Sequence, residues 1–160
     1  MQIPTARFGT VEVTDSKVLH FADGLPGLEE YKQFVILQVS ESYPVVWMQS
    51  VEDPEICLPV IDSFLVVPEY TFNIDDEDIS GLGISSSEDL HILSVLVIPE
   101  NLEGMTINLA APIVINMESG QAKQVLLGGA EYGVRHPVFA EICRIIKGEG
   151  SDAGSVKEDK

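Results

Sequence analysis

Between Met105 and Asn116 a proline interrupts what is otherwise strand sequence, and no other feature constrains the fold as much. Ile107 and Leu109 alternate with Thr106 and Asn108; beyond Ala111 and Pro112, Ile113 and Ile115 alternate with Val114 and Asn116. A period of two is the signature of a β-strand with a covered face. Pro112 has no N–H to give to a ladder, so it marks an edge, a bulge or a bend between two strands. Ile107, Leu109, Ile113 and Ile115 then face the core. Residues 122–127 are expected to pair back through the turn Glu118-Ser119-Gly120.

Similar short runs fill the chain. Val11 and Val13 alternate with Thr10, Glu12 and Thr14, and residues 18–21 are the expected hairpin partner across Asp15-Ser16. Further strands are expected over residues 34–39, 44–51, 57–67 (with a break near Asp62-Ser63) and 90–98. The last is apolar at both phases, Ile92, Leu96 and Ile98 against Leu93, Val95 and Val97, as in a strand covered on both sides. Helices are expected over residues 28–34, where Glu29 and Glu30 suit the positive end of a helix dipole, over 75–80 and over 137–146. Many short strands with turns between them predict a mainly β fold: a small antiparallel β-barrel or sandwich with two or three short helices. Residues 1–146 form the expected single domain. Residues 147–160, rich in Gly, Ser and charge, have nothing to bury and are expected to be a disordered tail.

The chain has 160 residues, of which 45% are hydrophobic, enough for a packed core. Against this, 26 acidic residues outnumber 9 basic ones, for a formal net charge of −17. Such a surface repels phosphate backbones and anionic lipid, so neither nucleic acid nor membrane is an expected partner. A basic protein is, because opposite charge speeds encounter. The start of the chain carries Pro4 and Arg7 and lacks a secretory apolar stretch, so the expected location is cytoplasmic.

Chemistry is hard to place on this sequence. His20, His91 and His136 lie in separate elements without the spacing of a zinc site. Cys57 and Cys143 stand apart beside apolar neighbours, as reduced structural thiols do. Gly81-Leu82-Gly83 stops a helix and lacks the lysine of a phosphate loop. The acids Asp75, Asp76, Glu77 and Asp78 are contiguous, not alternating as in a calcium loop, and read as a solvated helix start. They can also form a docking face for a basic partner. Trp47 fits either a core anchor or an interface anchor. Asn108 and Asn116, unusual residues for strands, fit either hydrogen bonding beside the proline or contact with a partner. No catalytic, cofactor or metal residues are assigned; the expectation is a binding protein, not an enzyme.

Several blocks resemble the FliW family of flagellar assembly factors, and in that family's order. They are Phe8-Gly9-Thr10-Val11-Glu12-Val13, Phe21-Ala22-Asp23-Gly24-Leu25-Pro26-Gly27-Leu28-Glu29, Val46-Trp47-Met48-Gln49-Ser50 with Asp53-Pro54, and Asp75-Asp76-Glu77-Asp78 leading to Leu82-Gly83-Ile84. The most specific is the run from Met105 to Asn116, followed by Gln121, Gln124-Val125-Leu126, Tyr132 and Arg135-His136-Pro137. Leu28 departs from the family's more frequent aromatic, and the chain after Pro137 is longer than usual. The resemblance implies a cytoplasmic protein that binds flagellin and also CsrA, a small basic RNA-binding dimer that represses flagellin translation. When flagellin is exported, the freed factor captures CsrA and translation resumes. The alternative is a dedicated flagellin chaperone with no link to CsrA.

Overall fold

The computed structural model describes residues 1–74, 77, 81–83, 90–128 and 131–149. Its centre is a closed barrel of seven strands. These are β3 (Leu19–Phe21), β4 (Gln33–Gln38), β5 (Val46–Ser50), β6 (Cys57–Asp62), β7 (Leu90–Val97), β9 (Ile113–Asn116) and β10 (Gln121–Gln124). Pairing runs antiparallel from β3 through β7, on to β9 and back along β10; β10 closes the ring by lying parallel to β3, with Gln121 opposite His20. The barrel form of the expected fold is therefore the one adopted. β1 (Gln2–Thr5) and β2 (Gly9–Glu12) make a separate hairpin, while β8 (Thr106–Ile107) and β11 (His136–Pro137) extend from the edge of β7.

Alternation explains where the cores lie. Leu19, Phe21, Phe34, Met48, Val60, Leu93, Ile113, Ile115 and Ala122 fill the lumen, each barrel strand contributing at least one. The opposite phase points outward, and on β4, β6, β7 and β9 it is also covered. Ile61, Ile92 and Val114 meet Ile142 and Ile145 of helix α2 (Phe139–Glu149), whereas Val35 lies with Ile3 and Val18 under the N-terminal hairpin. Val114 and Asn116, which alternate with Ile113 and Ile115, are as buried as their neighbours.

Pro112 sits in a bulge. Ile107 pairs with Leu96 and Ile113 with Leu93, so six steps along one chain face three along β7. Asn108 N–H anchors the excursion on the Val95 carbonyl at 3.1 Å, and Val125 N–H reaches the Pro112 carbonyl at 2.9 Å. Ile107, Leu109, Ile113 and Ile115 all face the interior.

Other local expectations change. β2 pairs with β1, not with residues 18–21, because residues 15–17 form a 3₁₀ turn that leads the chain into the barrel. Residues 28–34 are not helical. The Gly27 N–H donates to the Glu29 carboxylate, holding it below its usual pKa, and Leu28 and Tyr31 N–H close successive tight turns on Leu25 and Leu28. The run 57–67 is strand only as far as Asp62, whose carboxylate caps helix α1 (Ser63–Val66) by accepting the Phe64 N–H at 2.9 Å. The final helix begins at Phe139, after Pro137 has joined β11, and continues to Glu149. Of the helix expected over 75–80, only Glu77 is among the described residues, and 150–160 lie outside them.

Candidate functional site

Asn108 and Asn116 resolve first, because both side chains are engaged internally. Asn108 Oδ1 accepts the Ala110 N–H at 3.0 Å inside the bulge. Asn116 is 1% exposed; its Nδ2 donates to the Leu82 carbonyl at 2.8 Å and to that of Gly83 at 3.2 Å. Its Oδ1 accepts the Glu118 N–H at 3.0 Å, shaping the turn into β10. Asn116 is a buried fastener between that turn and residues 82–83, so it has no surface with which to meet a partner. Asn116→Ala is expected to cost about 1–3 kcal/mol in a urea titration, because it strands buried carbonyls. A loss below about 0.5 kcal/mol, the range of inert surface changes, would show that the amide is not needed there.

Of the acidic run, Glu77 is exposed, while Asp75, Asp76 and Asp78 lie outside the described residues. Elsewhere many carboxylates serve the fold. Glu52 accepts the N–H groups of Lys32 and Gln33, and Asp53 accepts the Tyr31 hydroxyl, which raises that phenol's pKa. Among the described residues, ion pairs join the N-terminus to Glu12 and Lys123 to Asp23. Most carboxylates among the described residues are exposed to water. Trp47 is half-buried on the outer wall of the barrel: its indole N–H donates to Ser42, the Arg7 guanidinium lies 4.5 Å over its ring and Phe8 packs edge-on. Among the described residues no group of three His, Cys, Asp or Glu side chains converges as metal ligands.

An aromatic groove that sequence reasoning missed lies on the surface. Tyr70 is its floor, 2% exposed, with its hydroxyl donating to the Leu109 carbonyl; burial pushes its pKa far up, and Tyr132 adds to the shift. Around it stand Tyr132 at 4.7 Å, Phe72 at 5.0 Å and Phe64 at 6.0 Å between ring centroids. The Tyr132 hydroxyl accepts the Thr71 N–H at 3.1 Å, tying the two arms together. One cleft of about 210 Å³ runs between residues 71–73 and 125–128, walled by Tyr132 and Glu131. A second of about 350 Å³ lies across Phe72, between Phe64 and Ile92. Leu126 stands 73% exposed beside the first and Phe64 43% exposed beside the second. The alternation Tyr70-Thr71-Phe72 was a local signal, with Phe64 six residues upstream; Leu126 and Tyr132 come from a distant segment.

Comparison with known proteins agrees over nearly the whole chain. The family model described as FliW protein matches residues 2–138. A flagellar assembly factor FliW of Caldanaerobacter subterraneus subsp. tengcongensis is 38% identical over 143 residues, spanning 89% of this chain and 95% of the relative. One from Pseudothermotoga lettingae is 40% identical over 139 residues, with 86% and 88% covered. A crystal structure of the flagellar assembly factor FliW superimposes with a TM-score of 0.81 at 33% identity, covering 87% of this chain and 97% of the other.

Proposed function

The chain belongs to the FliW family, and on that premise we propose that it is a non-catalytic binding protein of the cytoplasm serving flagellar assembly. It binds flagellin and, when flagellin is exported, CsrA, relieving repression of flagellin mRNA translation. The observation that carries this reading is the family match from residue 2 to 138 on a chain with net charge −17. A partner that holds RNA must present a basic surface, and an acidic protein docked beside it repels the transcript without occupying the RNA site. That repulsion reaches about 8–10 Å at physiological salt. Asp75, Asp76, Glu77 and Asp78 are the proposed contacts for this basic partner; Asn108, half-buried in the bulge, is left with a structural role.

Stopped-flow mixing with CsrA tests the charge mechanism. The association rate is expected to fall roughly tenfold as salt rises from about 50 mM to about 500 mM, because screening removes the steering. The protein alone should show no affinity for flagellin leader RNA. A salt-independent rate would remove charge from the mechanism. Binding to flagellin with none to CsrA would leave the dedicated chaperone.

A further inference from the structure

We propose that the aromatic groove seats an amphipathic segment of a partner protein, its apolar side chains against Phe64, Phe72, Tyr132 and Leu126 and its basic residues on the flanks. This rests on the reading that the chain works by binding proteins, and it adds an apolar docking surface to the acidic contacts proposed above. Exposed aromatic and aliphatic side chains gathered around a cleft are costly to leave in water and are the residue types that anchor interfaces. Phe64 and Leu126 are the exposed members, and Tyr70 beneath them is locked by its hydroxyl bond to Leu109, so the floor is rigid. Rigid floors bind without an ordering cost.

Charge identifies the occupant. Glu131 is the one charged residue lining either cleft among the described residues, and Glu69, exposed, immediately precedes Tyr70. An acidic flank on a chain of net charge −17 rejects acidic segments and favours lysine or arginine beside the apolar anchors. An amphipathic helix or strand laid into a groove is a recurring mode of peptide recognition.

The test uses a fluorescent helical peptide of leucine and lysine, with a second peptide in which serine replaces leucine. Anisotropy titrations compare the full chain with Leu126→Asp and with Leu102→Asp, the latter a matched change at an exposed leucine outside the groove. Leu126→Asp adds negative charge while removing an apolar contact, so simple attraction and groove docking predict opposite signs. Docking predicts at least tenfold weaker binding to Leu126→Asp, little change for Leu102→Asp and weak binding of the serine peptide. Equal binding of the two peptides, or undiminished binding to Leu126→Asp, would overturn the proposal. Titrating purified flagellin in parallel separates the two readings: if the peptide docks in the groove but flagellin does not bind, the groove stands and the functional proposal falls.

Discussion

Phe34→Ala is expected to lower the stability of the folded chain by about 3–5 kcal/mol, the range for emptying a buried phenylalanine site. Phe34 is fully buried in the lumen, with its ring 5.4 Å from Phe21 in an edge-to-face contact. It lies on β4, while Phe21 is on β3, the strand at which β10 closes the ring. The cavity would open where neighbours from several strands converge, and a closed ring of strands cannot collapse inward without breaking pairs. Domains of this size hold only about 5–15 kcal/mol in total, so the loss is a large share of the margin. Thermal melting should show a midpoint roughly 10 °C lower. A shift under about 2 °C, less than 1 kcal/mol, would mean that the lumen repacks freely.

Gly24→Ala is expected to be of similar severity for a different reason. Gly24 has φ +68°, a left-handed conformation that costs an L-residue about 1–2 kcal/mol. A Cβ there would also lie 2.6 Å from both Cα and the carbonyl oxygen of Glu29, and 2.9 Å from its carbonyl carbon. These are backbone atoms, so no rotamer change relieves the overlap and the turn between β3 and β4 must move. The combined cost is expected to exceed about 3 kcal/mol. Gly27→Ala is the internal control: its φ is +85°, but nothing lies within 4 Å of the added carbon. That variant should lose only the conformational part, about 1–2 kcal/mol. Equal losses in urea titrations of the two variants would show that the close approach to Glu29 contributes nothing.

Much of this was legible along the chain. The strand phases at Ile107, Leu109, Ile113 and Ile115 follow from a period of two, and the interruption at Pro112 follows from its missing N–H. The helix expected over 28–34 failed because dipole-complementing glutamates are a weak signal over so short a segment. The Glu29 carboxylate satisfies the Gly27 N–H instead, and the chain folds back in turns. Asn116 left two readings open in sequence, since the same side chain can reach outward or inward; residues 82–83, far away in the chain, decide for inward.

By itself the sequence determined the β character, the core-facing positions Ile107, Leu109, Ile113 and Ile115, the break at the proline and the acidic charge, because all of these are local or additive properties. Only the tertiary structure decided which strands meet. Periodicity states which side of a strand is apolar but not its neighbour, and partner choice rests on contacts between distant segments. The parallel seam of His20 with Gln121 closes the barrel, and closure gives every strand a share of the filled lumen. The groove arises the same way. Phe64, Tyr70 and Phe72 lie close together in the chain, but they form one surface with Leu126 and Tyr132 only when the two distant segments are held against the same side of the barrel.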